Sequence, residues 1–232
     1  MQNAGGLLAD GRSCCGMTYN VGMLAGDVLD SVLNVADQTL RTLFAPARTA
    51  RQPDLPADSG SMSPGERRHS AGLMRVNHAG EIAAQGLYRG QAALSRSSGT
   101  REFLERAANE EADHLAWCEA RLRELGSRPS LLNPLWYLGS FSLGCAAAVL
   151  GDAVSLGFMT ETEAQVEGHL ASHLDRLPAS DLRSRGIVQH MKNEESAHGQ
   201  AAQARGAADL PMPIPGLMRV AARIMTGTAY WL

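Results

Sequence analysis

The sequence predicts an all-α protein: a four-helix bundle with a long crossover and an extra helix at each end. Three observations carry this. Charged residues make up 19% and aromatics 5% of the 232 residues, and with abundant Ala, Leu and Gly this composition favours packed helices over a β-sandwich. Apolar residues recur at helical spacing from Asp27 onwards, interrupted at Pro- and Gly-rich points. The third observation is a doubled motif, Glu111-Ala112-Asp113-His114 and Glu195-Ser196-Ala197-His198.

Residues three apart on a helix share a face, about one turn apart. Each Glu-x-x-His therefore aims a carboxylate and an imidazole at one point, as two ligands of one metal ion. A lone copy is more often a solvated face, but each copy here follows a further Glu. Glu81 precedes Glu111 by 30 residues, and Glu167 precedes Glu195 by 28. A helix, a turn and a second helix of that total length return a chain to about its starting level. Four carboxylates and two imidazoles suit two transition-metal ions, and the ferritin-like di-iron or di-manganese bundle uses this ligand set.

Taken in order, residues 1–26 are Gly-rich and read as a disordered extension, with Met17 or Met23 as a candidate start. They show no basic region leading into a long apolar run, so no secretory signal is evident. Residues 27–45 read as an N-terminal packing helix, with Val28, Leu29, Val32, Val35, Leu40 and Leu43 on one face and Pro46 as its stop. The Pro-rich stretch 46–62 reads as a linker. Residues 63–232 form the expected metal-binding domain.

That domain opens on Ser63-Pro64-Gly65-Glu66, a capping box with Pro at the first helical position. The first bundle helix then runs to about Arg96 with Glu81 near its middle. After a short polar turn, the second runs from about Arg101 to Leu125, ended by Gly126. It carries Glu111 and His114, with Glu110 and Asp113 as surface or supporting groups and Trp117 in the core. Pro129–Gly151 is uncharged for 23 residues, long enough for a span of roughly 20 residues. Asn133, Pro134 and its Gly and Ser residues favour instead a buried or interfacial helix, placed where the bundle needs its crossover. The third ligand helix starts at Thr160, with Thr160-Glu161-Thr162-Glu163 as a capping box, or continues from Asp152; it runs to about Leu177 and offers Glu161, Glu163 and Glu167. A mid-helix position favours Glu167. The fourth, Asp181 to about Arg205, carries Glu195 and His198, with Glu194 as an outward neighbour. The tail from Gly216 is basic and amphipathic and ends in Tyr230-Trp231, which suits a membrane surface or packing on the bundle.

A formal charge of −3 gives no reason to expect nucleic acid as a partner. Cys14, Cys15, Cys118 and Cys145 form no Cys-x-x-Cys pair and read as reduced thiols outside the metal site.

The runs LMRVNHAGEIAAQGLYRGQ, NEEADHL, RPSLLNPLWYLGSFSLG, TETEAQVEGHL and NEESAHG resemble, in matching order over roughly residues 64–232, the demethoxyubiquinone hydroxylase family of ubiquinone biosynthesis. The resemblance implies a two-iron monooxygenase. Its metal ligands would fall on Glu81, Glu111, His114, Glu167, Glu195 and His198, with Glu111 and Glu195 shared between the irons. Glu81 and His114 would complete one iron, Glu167 and His198 the other. Glu167 is preferred over Glu163 because the family's third-helix ligand follows a Val, here Val166. His78 shares the face of Glu81, but some relatives carry Gln there, which argues against it as a ligand. The implied substrates are a polyprenylated methoxy-methyl-benzoquinol and O2, with an electron donor that no motif identifies. The implied location is the cytoplasmic face of the inner membrane, as a peripheral protein. Competing readings are a ferritin-like ferroxidase or iron store, a manganese catalase, and a non-enzymatic bundle supporting a membrane assembly.

Overall fold

The computed structural model describes residues 21–49, 51, 53, 55–57 and 61–232, and side chains in the first helix only at 29, 30 and from 32 onwards. Among the described residues there are seven helices and no strand: α1 (Val21–Phe44), α2 (Pro64–Leu94), α3 (Ser98–Glu124), α4 (Asn133–Leu150), α5 (Asp152–Arg176), α6 (Leu182–Ala204) and α7 (Pro213–Ala229). The expected disorder over 1–26 meets a helix that already begins at Val21. Residues 1–20, with Cys14-Cys15 and the candidate start Met17, lie outside the described residues.

Local chemistry sets the helix ends. Ser63 and Glu66 make the reciprocal capping box of α2, and Pro64 occupies its first turn. Gly126, at φ 70°, turns the chain out of α3. α5 starts at Asp152, the earlier of the two starts that the sequence leaves open. The hydroxyls of Thr160 and Thr162 donate back to the carbonyls of Leu156 and Phe158, so they lie inside the helix and cap nothing.

The bundle is two helical pairs, α2 with α3 and α5 with α6. α4 is the crossover, and it presses on α2 more extensively than any other helix pair meets. Glycines allow this. A Cβ at Gly86 would stand 2.5 Å from the Tyr137 carbonyl oxygen, one at Gly90 2.2 Å from that of Phe141, and one at Gly144 2.2 Å from that of Leu87. The helices touch backbone to backbone, which any side chain would prevent.

Two apolar clusters fill the bundle at its two ends. Leu73, Met74, Trp117, Leu122, Leu170, Ile187 and Met191 pack one end. Leu87, Tyr88, Leu104, Leu156, Met159 and Ala202 pack the other. The candidate ligands fall between them on each of the four bundle helices, α2, α3, α5 and α6, so the polar centre is sealed above and below by hydrocarbon.

α1 packs along only some of its length: Leu43 joins Ile82, Leu115 and Tyr137, while Leu29, Val32, Leu33 and Leu40 are exposed. α7 has two apolar sides. Met218, Ala222 and Met225 face inward onto a cavity, and Leu217, Val220 and Ile224 face outward. Tyr230 anchors its end, seated on Gly72 and hydrogen-bonded to His69 Nδ1 at 2.7 Å. No helix is long and apolar enough to cross a membrane among the described residues. Cys118 and Cys145 are free thiols.

Candidate metal centre

Six side chains from four helices converge in the middle of the bundle. Glu81, Glu111, His114 and Glu195 form one group, and Glu111, Glu163, Glu195 and His198 a second, with the ligand atoms of each group within 4.8 Å of one another. Glu111 and Glu195 belong to both groups. His114 Nδ1 lies 2.9 Å from Glu111, 3.1 Å from Glu195 and 3.6 Å from Glu81. His198 Nδ1 lies 3.2 Å from Glu111, 3.7 Å from Glu195 and 3.9 Å from Glu163.

One sequence expectation is corrected. Glu167 is not in either group; Glu163 stands in its place. On α5 the inward stripe runs Leu156, Met159, Glu163, Val166, Leu170 and His173, a three-four alternation that holds one face. Glu163 is 2% exposed, whereas Glu167, one position off the stripe, is only half-buried. The spacing argument cannot separate them, because 28 and 32 residues before Glu195 lie equally far from the 30 of the first half. The start of α5 separates them: with the helix beginning at Asp152, Glu163 is its midpoint. The stripe itself is the signal that sequence reasoning missed. Glu81, Glu111, His114, Glu195 and His198 are all brought together. His78 is not, and hydrogen-bonds Asn133 instead; burial pushes its pKa down to about 4.

Two further carboxylates, Glu194 and Glu110, look like outward or surface neighbours in the sequence, and both support the site. Each imidazole turns Nδ1 inward and Nε2 outward. His114 Nε2 meets Glu194 at 2.7 Å, and His198 Nε2 meets Glu110 at 2.6 Å. The pairing crosses the bundle: the Glu preceding the shared carboxylate on α6 holds the histidine of α3, and the reverse. Glu163 also accepts a short hydrogen bond from the buried Tyr88 hydroxyl.

The electrostatics fit a centre built for cations. Burial, helped by the charges of Glu195 and Glu111, pushes Glu81 and Glu163 well above the usual carboxylate range. Burial opposes ionisation of Glu111 and Glu195 as well, but the two histidines outweigh it and hold both carboxylates low. Burial also works against charge on the imidazoles. The surrounding carboxylates overcome it, raising His114 well above its ordinary value and His198 to about 11. Protons are thus drawn to where metal charge would otherwise sit. Glu111 Oε1, Glu195 Oε1 and His198 Nδ1 are buried without a well-aligned hydrogen-bond partner. Carboxylate oxygens and ring nitrogens converging at this depth are costly unless protons or a cation satisfy them. The donor set, four carboxylates and two imidazoles, suits a pair of first-row transition-metal ions.

A cavity of about 840 Å³ reaches this centre. Glu81 forms part of its inner wall, and α2, α4, α5 and α7 enclose it with mostly apolar side chains, among them Leu87, Leu143, Val166 and Met225. Leu135, Leu143, Arg219 and Arg223 line it and are themselves exposed, so it runs from the surface to the carboxylates.

Relatives fit this arrangement. Proteins named 3-demethoxyubiquinol 3-hydroxylase are 55% identical over 204 residues in Bordetella avium, covering 88% of this chain and 95% of that one. The Chromobacterium violaceum protein of that name is 52% identical over 204 residues, 88% and 99% of the two chains. That of Burkholderia ambifaria is 53% identical over 207 residues, 88% and 100%. The family model described as "Ubiquinone biosynthesis protein COQ7" matches residues 68–229, the span that holds all six clustered side chains, and the chain belongs to that family.

Proposed function

We propose that the protein hydroxylates the ring of a polyprenylated methoxy-methyl-benzoquinol, demethoxyubiquinol, with O2, as a late step of ubiquinone biosynthesis. The observation that carries this is the apolar cavity whose inner wall is Glu81. A hydrated iron ion bound for storage has no use for such a path, whereas a prenylated quinol has. The names of the relatives point to the same substrate and reaction.

In this reading Glu81 and His114 hold one iron and Glu163 and His198 the other, with Glu111 and Glu195 between them. Two bound ferrous ions would supply the O2 activation, one oxygen atom going to the ring and the other to water, with two electrons from a separate donor. The chain's own contribution is placement and exclusion. Leu87, Val166 and Met225 strip water from the quinol ring, and Glu81 marks the wall that the ring must face. Glu194 and Glu110 fix the tautomer and direction of the two imidazoles.

The cavity opens between α4 and α7, where Leu135, Leu138, Leu217, Val220 and Ile224 are exposed beside Arg219 and Arg223. Apolar side chains interleaved with cations suit the surface of a bilayer that holds the substrate, so the protein works as a peripheral membrane enzyme on the cytoplasmic face.

The test is turnover. Protein loaded with two equivalents of ferrous iron, given demethoxyubiquinol in liposomes, O2 and a chemical reductant, forms the ring-hydroxylated quinol. Loaded protein that makes none would overturn the reading. Replacing Leu217 and Ile224 together with Asp lowers liposome binding severalfold and leaves iron content and melting temperature unchanged, because both side chains are exposed. Unchanged liposome binding would remove this face from the membrane contact.

A further inference from the structure

The segment after α1 reads in the sequence as a plain linker, and it lies before the stretch that the family model matches. Its described residues form a strap laid across α3 and α6. The Ala47 amide donates to Glu119 at 2.9 Å and the Thr49 hydroxyl to Asp113 at 2.9 Å. Trp117 Nε1 donates to the Arg51 carbonyl at 2.8 Å. Leu55 and Pro56 close on Gly186, where a Cβ would lie 3.2 Å from each.

Arg51 is the centre of the strap. Its Nε donates to Asp113 at 2.8 Å, and its two terminal nitrogens grip Glu194 at 2.8 and 3.1 Å. Such a forked contact fixes a carboxylate in plane as well as in place. Glu194 in turn holds His114 Nε2. On the opposite side, Glu110 holds His198 with its side chain 49% exposed, and among the described residues His198 is its only ion-pair partner.

We propose that Arg51 is a positioning residue that makes the two metal positions unequal: acting through Glu194, it locks the ring of His114, so the position shared by Glu81 and His114 releases its metal more slowly than the one shared by Glu163 and His198. The inference rests on the two-metal reading above. The physical basis is preorganisation. A histidine whose outer nitrogen is held by a clamped carboxylate keeps its inner lone pair aimed, and a mobile, hydrated carboxylate does so less well. Loss of such an outer partner typically costs about 10–100-fold in metal affinity.

The experiment is release of ferrous iron, under argon, from the loaded full-length protein to a coloured ferrous chelator. The wild type releases two equivalents in two phases. Arg51→Met quickens the slow phase about tenfold or more and leaves the fast phase alone. Arg51→Lys, which keeps the charge but loses the fork, falls between. Glu110→Gln quickens only the fast phase. Leu55→Ala, which loosens the strap elsewhere, controls for general destabilisation. The proposal is overturned by a single release phase in the wild type, by no change in Arg51→Met, or by equal quickening of both phases that Leu55→Ala reproduces. Failure to bind two equivalents of iron at all would instead overturn the two-metal reading.

Discussion

The two helical pairs carry one motif and use it differently. In the first pair Glu81 faces the cavity, and beyond its neighbours in the cluster no hydroxyl among the described residues holds it. In the second, Glu163 does not line the cavity and is tied by Tyr88. Outside the cluster the order reverses: the α3 histidine is held by a clamped carboxylate and the α6 histidine by an exposed one. One half is open toward ligand and braced toward solvent; the other is braced inside and open outside. A repeat of ligands therefore does not imply a repeat of roles. In the proposed reading, the half that faces the substrate has its fewer ties on the inner side and its support on the outer.

The hardest blow to this arrangement removes what the halves share. Glu111→Ala or Glu195→Ala should abolish turnover and cut iron from about two equivalents to near none, while the chain stays helical. Glu81→Ala or Glu163→Ala should leave about one. Elemental analysis beside circular dichroism checks this, and a full iron complement in Glu111→Ala would contradict the shared role.

Next in size is the crossover, which leans on the first half. Gly90→Leu must force apart a pair of backbones that touch, since the first added carbon alone meets the Phe141 carbonyl at 2.2 Å. A loss of about 3 kcal/mol or more is expected, read by denaturant unfolding. Gly139, where nothing lies within 4 Å, should tolerate Ala with a change below about 0.5 kcal/mol.

The halves also differ in their buried neutral histidines. His78 in the first has Asn133 as a partner; His173 in the second has none for either nitrogen among the described residues. Burial, then His169 and Arg176, pushes His173 down to about 2. A folded-state pKa below the unfolded value of about 6.5 gives stability that is complete above that pH and lost as pH falls below it. By pH 5 the loss is on the order of 2 kcal/mol for this residue. His173→Leu should remove that share of the difference between unfolding at pH 7.5 and pH 5; an unchanged pH dependence would mean His173 takes up a proton in the fold.

The smallest effect sharpens the contrast between Glu81 and Glu163. Tyr88→Phe deletes a hydroxyl that α2 donates to the second half's carboxylate, Glu163, and that has no counterpart at Glu81 among the described residues. About 1–2 kcal/mol of stability should go with it, and iron release should quicken on the Glu163 side alone. Equal quickening on both sides would show that the tyrosine supports the bundle and not that one carboxylate.

Much of this is legible in the sequence alone. Helix-ending Pro and Gly, the capping box at Ser63 and the doubled Glu-x-x-His are local signals; four of the six clustered side chains follow from the doubled motif, and Glu81 from its 30-residue spacing before Glu111. The choice between Glu163 and Glu167 depends on where α5 begins, and Thr160-Glu161-Thr162-Glu163 imitates a helix start. The pairing of Glu194 with His114 and of Glu110 with His198 joins residues 80 and 88 positions apart, as does the Arg51 grip on Glu194 across 143. No periodicity within one helix reports contacts between helices, so these stay hidden, and the Pro-rich strap looks like any connector.

The glycine contact between α2 and α4 has a consequence for traffic through the cavity. Two helices in backbone contact have no side-chain layer left to compress, so that wall is stiff and hinges nowhere. α7 is fastened differently: by Tyr230 and Arg75 at its far end and by Gln165 to the Pro215 carbonyl at its near end, with its midsection lying over the opening. In the proposed reading, a bulky tail passing inward therefore runs between one backbone-packed wall and one helix fastened by side-chain contacts.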